Sequence, residues 1–334
     1  MHNYGVSPEN VRMALAIGLI VSILMYERWR LTSGAAWVAA YLALFVERPL
    51  YIVTTVALAL ATYYLVERVI ARRMFLYGRR RLVAMVLVGM TFQLITGAVA
   101  FFTAPLTPWL AGLYSIGFVI PGLIAHDIER QGPRATLLTI AANALLTFLL
   151  FRNILAIKSN LPVSWNSIAF EDKTIVYSYH TALLIPAAIL SVVVSALLFE
   201  WTGLRSGGFL TAAYAALFVL QPLHLVFITM VGVLVFYFVT RFLMRRTPVF
   251  GRTKFVMMVL TALVFTWALE VATAQVTRNT FIPFAGFSII SPIIAALLAN
   301  DSERQGLRKT LLGAAASTLI VFIAIKGLDL LVLG

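Results

Sequence analysis

Residues 82–104 carry no charge and are almost all apolar, and comparable runs recur along the whole chain. In a bilayer such a run satisfies its backbone N–H and C=O groups only as a helix, because no water reaches them. The strands of a transmembrane barrel would alternate apolar and polar residues instead. Composition agrees: 61% of the 334 residues are hydrophobic and 12% are charged, with a mean hydropathy of +0.95. A soluble domain is nearer one half apolar and one quarter charged, and disorder needs low hydrophobicity. The expected fold class is therefore all-α, a polytopic helical membrane protein.

The runs belong to an internal duplication. Adding 173 takes Glu27 to Glu200, Ser33 to Ser206, Gly34 to Gly207, Tyr41 to Tyr214, Pro49 to Pro222 and Gly78-Arg79 to Gly251-Arg252. After one inserted residue, an offset of 174 takes Asp127 to Asp301 and Glu129-Arg130-Gln131-Gly132 to Glu303-Arg304-Gln305-Gly306. The domains expected are a first repeat at 1–151, a polar linker at 152–180 and a second repeat at 181–334. Each repeat shows about six hydrophobic segments, near 11–26, 33–47, 50–66, 82–104, 109–126 and 134–151, and near 181–199, 207–220, 222–240, 255–274, 281–299 and 307–325. The second of each set is short for a span of about 20 residues, and either spans or re-enters.

Lys and Arg number 26 against 13 Asp and Glu, a net charge of +13. In a soluble protein that excess would suggest nucleic acid. In a membrane protein it sets topology, holding basic loops in the cytoplasm, so no nucleic-acid partner is expected. With the N-terminus outside and all twelve segments crossing, 19 of the 26 basic residues fall on the inside. An even number of crossings makes the two repeats parallel. The chain has no cysteine, hence no disulfide and no thiolate chemistry. No cleavable signal peptide is expected at the polar start of the chain.

Motifs for ATP binding, zinc hydrolysis and serine hydrolysis are missing, and the four histidines are scattered. No cofactor and no metal are expected. Three features remain. The first is Arg72-Arg73-Met74-Phe75-Leu76-Tyr77-Gly78-Arg79-Arg80-Arg81, echoed by Arg245, Arg246, Gly251, Arg252 and Lys254. Guanidinium forks match carboxylate or phosphate oxygens, so these loops either dock an anionic polymer, an anionic partner or lipid headgroups, or simply anchor the chain. The second is Pro121-Gly122 inside an apolar segment, with Pro292 near the matching place. Such a break either lines a substrate path or is a structural kink. The third is the set of acidic and amide residues: Glu27 and Glu200, Asp127 and Asp301, Glu129 and Glu303, Gln131 and Gln305. They are candidates for the membrane path; the alternative for Glu27 and Glu200 is ion pairing at the interface, and for Asp127, Glu129 and their copies it is solvated, paired carboxylates in the charged loops. Glu270 lies deeper and has Gly97 as its counterpart.

Each repeat resembles the PgsC/CapC family, the membrane subunit of poly-γ-glutamate capsule synthases. The first repeat carries the resemblance in Tyr41-Leu42-Ala43-Leu44, Pro49, Tyr77-Gly78-Arg79-Arg80-Arg81, Ile120-Pro121-Gly122-Leu123-Ile124-Ala125 and Glu129-Arg130-Gln131-Gly132. The second keeps Tyr214, Ala216-Leu217, Pro222, Gly251-Arg252 and Gln305-Gly306 but lacks the Pro-Gly pair. Family members are typically one unit long, whereas this chain has two in tandem. The resemblance implies a multi-pass protein of the plasma (inner) membrane with its basic loops in the cytoplasm. It implies a non-catalytic subunit that works with a separate PgsB/CapB-like ATP-dependent amide ligase and a PgsA/CapA-like subunit, and that helps an anionic γ-glutamyl polymer cross the lipid bilayer. Two other readings fit the pattern alone: a secondary transporter or channel for a small anionic solute, and a membrane enzyme using Asp127 and Glu129 as acid and base.

Overall fold

The computed structural model describes residues 8–103, 116–160, 177–247, 249–278, 281, 283 and 290–332. The chain divides into two compact units, Met1–Leu161 and Pro162–Gly334. In the first, the described helices are α1 (Pro8–Trp29), α2 (Val38–Ala43), α3 (Pro49–Leu65), α4 (Arg79–Thr103), α5 (Ile120–Gln131) and α6 (Pro133–Asn160). In the second they are α7 (Leu184–Thr202), α8 (Thr211–Leu217), α9 (Pro222–Tyr237), α10 (Gly251–Val276), α11 (Ile290–Gln305) and α12 (Leu307–Val332). Each overlaps one of the expected segments, the fifth of each unit only in part, as 104–115 and 284–289 lie outside the described residues. The structure is helical, with no strand among the described residues. Because α6 runs to Asn160, residues 152–160 of the expected linker are helical, while 161–176 lie outside the described residues.

Local chemistry places the boundaries. Pro49 and Pro222 open α3 and α9, where a proline's missing N–H would be unpaired anyway. Both helices then widen into a π-helical turn, Val66–Ile70 and Phe238–Leu243, before a last short turn that ends on Arg72-Arg73 or Arg245-Arg246. Single π turns are uncommon and gather at functional sites.

Among the described residues, eight helices are long and apolar enough to cross a membrane: Asn10–Trp29, Pro49–Arg73, Arg79–Ala100, Pro133–Ala156, Leu184–Thr202, Pro222–Arg246, Gly251–Val276 and Leu307–Leu331. The second and fifth elements of each unit are shorter as described, so the described residues hold eight full helical spans and not twelve. A helix such as α2, with six residues, rises only about 9 Å. Irregular backbone at membrane depth is tolerated only when protein covers it, and these elements are covered. In α2, Val38, Ala39, Ala40, Leu42 and Ala43 are buried. In α5, Ile120 through Ala125, Asp127 and Ile128 are buried. Helix α2 packs on α1 and α6, and α5 packs on α3, α4 and α6. The long helices form the shell and expose Leu138, Leu149, Leu319 and Ile323. In unit 1 the long helices thus pack as two pairs, α1 with α6 and α3 with α4, one pair holding α2 and the other α5, and unit 2 repeats the arrangement.

Candidate functional site

In unit 1, the charged segments meet at one end. After Arg73 the backbone becomes extended at Met74, and Gly78 turns it with φ +53° before α4 starts at Arg79. A left-handed φ of this kind suits glycine, and Gly251 repeats it at +59°. Arg72, Arg73, Arg80, Arg245 and Arg246 are exposed. So are the aromatic rings that precede the two glycines, Phe75 at 90%, Tyr77 at 76% and Phe250 at 72%. Arg246 lies over the Phe242 ring at 4.1 Å, a cation–π contact that holds the guanidinium beside the π turn.

The last basic residue of each loop turns inward instead. Arg81 pairs with Glu67 of the π turn, its Nε donating to Oε1 at 3.0 Å, and its Nη1 meets Glu129 at 2.9 Å. In unit 2 the equivalent Lys254 donates to Glu303 at 2.7 Å. Arg81 and Lys254 thus tie the start of one helix to the end of the short central helix. Of the residues expected to dock a partner, these two are engaged in ion pairs within their own unit.

A second tie lies behind the first. Gln131 Oε1 accepts the Thr32 N–H at 2.9 Å, and its Nε2 donates to the Thr32 carbonyl and to Thr136 Oγ1. Gln305 does the same with Arg205, at 2.9 and 2.8 Å, and with Thr310. Asp127 accepts the N–H groups of Gly34 at 2.8 Å and Ala35 at 3.3 Å. Asp301 accepts the Gly208 N–H at 3.1 Å and sits 3.6 Å from the Arg205 guanidinium. Asp127 is buried, which corrects the expectation of a solvated loop carboxylate. These acceptors satisfy backbone donors where the chain re-enters the protein between the first two elements, a place where unpaired N–H groups are costly.

Pro121 occupies the first turn of α5, after residues 116–119 that are not helical, and Pro292 is the third residue of the described part of α11. Gly122 matters for packing. A Cβ there would lie 2.6 Å from Val86 Cα and 2.7 Å from the Met85 carbonyl. Glu27 and Glu200 are exposed near the C-terminal ends of α1 and α7. Three contacts were not anticipated: Ser22 with Ser33 at 3.3 Å, Ser195 with Ser206 at 2.5 Å, and the part played by Glu67. The serine pairs were detectable, because Ser22 and Ser195 obey the same offset of 173.

Eight apolar spans arranged in two sequence repeats, each with buried half-helices and a charged end, define a polytopic helical membrane protein of tandem-repeat build. The family model for capsule biosynthesis CapC matches twice, over residues 17–137 and 190–311. The chain belongs to that family, and the double match bears out the internal repeat. It is 32% identical over 126 residues to the PGA biosynthesis protein CapC of Bacillus subtilis (strain 168), covering 37% of this chain and 81% of that protein. It is 31% identical over 125 residues to the capsule biosynthesis protein CapC of Bacillus anthracis, with the same coverage. One unit of this chain thus accounts for most of such a relative. No solved structure matches it.

Proposed function

We propose that this chain is the integral membrane subunit of a poly-γ-glutamate synthase and export complex. Its basic loops face the cytoplasm, dock the ATP-dependent amide ligase of the complex, and attract the growing polyanion, which then crosses the membrane with the help of both units. The observation that carries the reading is the doubled surface of exposed Arg72, Arg73 and Arg80 beside Phe75 and Tyr77, and of Arg245 and Arg246 beside Phe250. Clustered arginines raise the local concentration of a polyanion, and exposed aromatic rings beside arginine are common anchors of protein interfaces. The CapC relatives, one of them named for PGA biosynthesis, supply the polymer class. A PgsA/CapA-like subunit completes the complex.

The test is affinity purification of the chain from native membranes in mild detergent, with bound proteins identified by mass spectrometry. The expected result is stoichiometric recovery of an amide ligase, lost when Arg72, Arg73, Arg80, Arg245 and Arg246 are all replaced by Gln. Recovery of the chain alone, in a preparation where other membrane complexes survive, would refute the docking role. Solute-flux measurements on the purified chain would then test the transporter reading.

A further inference from the structure

Unit 2 contains a cavity of about 320 Å³. Tyr214 and Ala215 of α8 and Ile294 and Leu298 of α11 line it from the short helices, and α9 and α12 line it from the long ones. Helix α9 packs on α10 and α11, whereas α12 packs on α7, α8 and α11. The two long helices thus meet the same short helix and leave a cleft between them. Ala315 and Leu319 line the cleft and are exposed, so it opens sideways between two helices that cross the membrane. None of the described lining residues is charged. Tyr214 shares a hydrogen bond of 2.8 Å with Ser291, Thr211 donates to the Gly207 carbonyl, and Thr318 donates to the Ala314 carbonyl at 2.7 Å. These hydroxyls are satisfied inside the protein, which leaves a wall that suits hydrocarbon. Water needs two or more polar partners to stay in such a place.

Unit 1 fills the same place with side chains. Ala215 and Ala314 stand where unit 1 has Leu42 and Ile140. Those two are only 0% and 4% exposed, whereas Ala215 and Ala314 are half-buried. Ile140 reaches Gly34 together with Val38 and Ile124: a Cβ on Gly34 would lie 3.4 Å from the Ile140 Cδ1. Thr318 for Ala144 and Ile228 for Thr55 restore only part of the volume lost in unit 2. A void costs its lining atoms their contacts, so an occupant that supplies them is favoured.

Charge and length select the occupant. On α12, Leu311, Ala315, Thr318 and Phe322 line the cleft at the spacing of three and four that defines one helix face. Arg308 precedes Leu311 at that spacing, with Lys309 beside it, and both are exposed. They lie at the charged end of the unit, because α12 begins at Leu307, just after α11 ends at Gln305, and Glu303 there pairs with Lys254. Unit 1 has Arg134 and Ala135 instead, so the second basic residue goes with the open cleft. From Leu311 to Phe322 the helix rises about 16 Å, the depth of one leaflet in a hydrocarbon core of about 30 Å.

We propose that the cleft between α9 and α12 holds one acyl chain of an anionic phospholipid, whose phosphate sits on Arg308 and Lys309. Basic residues at the edge of a helical membrane protein attract anionic headgroups, and the small residues of unit 2 make room for the chain below them. The site belongs to the second unit and does not depend on ligase docking.

Native mass spectrometry tests it on the full chain, delipidated in detergent and given equal amounts of palmitoyl-oleoyl phosphatidylglycerol and phosphatidylcholine. One phosphatidylglycerol should be retained per chain in preference to phosphatidylcholine. R308Q/K309Q should lose the preference. A215L/A314I, which installs the side chains of unit 1, should lose the bound lipid. No retained lipid, equal retention of the two lipids by the wild type, or undiminished retention by A215L/A314I would overturn the proposal. So would a dimer that A215L/A314I breaks, because a second copy would then cover the cleft. Should that variant fail to fold, the wild-type chain decides alone. Phosphatidylglycerol with a photoactivatable diazirine on its acyl chain, supplied at one per chain, should label residues 225–229 and 311–322, as read by peptide mass spectrometry. Labels confined to other helices would overturn the proposal as well.

Discussion

Gln131 and Thr32 stand 99 residues apart in the chain, yet one carboxamide pairs with both backbone groups of the other residue. The amide plane serves as a peptide surrogate. It closes the gap where α1 ends and the path toward α2 begins. Gln305 and Arg205 repeat the arrangement in the second unit. Gln131→Ala leaves a part-buried N–H and C=O without their partner, at a cost of about 1–3 kcal/mol. The same holds for Gln305→Ala. Thermal unfolding in detergent should show a comparable drop for each. Because each contact is internal to its own unit, the double variant should show the sum of the two, as distant sites do. A single variant with unchanged stability would remove the clamp.

The aspartates differ in what they lose. Asp127 accepts two backbone N–H groups, whereas Asp301 accepts one and also faces Arg205. Asparagine keeps an acceptor oxygen but removes the charge. Asp301→Asn should therefore respond to salt: its deficit relative to wild type, about 1 kcal/mol for a partly exposed pair, should shrink at high ionic strength. Unfolding of Asp301→Asn and of the wild type, measured at low and high salt, checks this.

Gly122 sets the distance between α4 and α5. Gly122→Ala puts a methyl carbon 2.6 Å from Val86 Cα, so the two helices must separate. Overpacking of this kind costs about 1–3 kcal/mol. The second unit carries Ala296 at the matching position, so its two helices already accept a methyl group there. Ala296→Gly should then lose some packing while leaving the fold intact. Yields of monodisperse protein should fall for Gly122→Ala and stay near wild type for Ala296→Gly.

Much of this was legible in the chain. The apolar runs fixed the helical membrane class, and the offsets of 173 and 174 paired Arg81 with Lys254 and Glu129 with Glu303 before any geometry was known. The shortness of residues 33–47 left open whether that segment spans or re-enters, and the six residues of α2 are too few to span. Residues 109–126 gave no such warning: their composition suits a long helix, but α5 begins only at Ile120, and 104–115 lie outside the described residues. The purpose of Gln131 and Asp127 was hidden for a different reason. Their partners are backbone groups of Thr32, Gly34 and Ala35, and a backbone N–H has no residue type by which to be found. The inward turn of Arg81 was hidden among five arginines of one loop, because only burial separates it from Arg80.

Arg81 sits between two carboxylates, and that predicts an asymmetry between the units. Its guanidinium fork meets Glu67 and Glu129 together, with all three side chains about one-quarter exposed or less. In the second unit Thr240 stands where Glu67 would be, and Lys254 has Glu303. Arg81→Gln leaves two carboxylates facing each other in a half-buried place, and like charges brought together are destabilising. Lys254→Gln leaves one carboxylate that can turn to solvent. The first change should cost about 2–3 kcal/mol and the second about 1 kcal/mol, between the values for surface and buried pairs. Removing one of the facing charges should relieve the first defect. Glu67→Gln combined with Arg81→Gln should therefore be more stable than Arg81→Gln alone. A double-mutant cycle on thermal unfolding measures that coupling directly. A double variant less stable than the single one would show that Glu67 and Glu129 do not repel through the vacated site, and that Arg81 acts by packing alone.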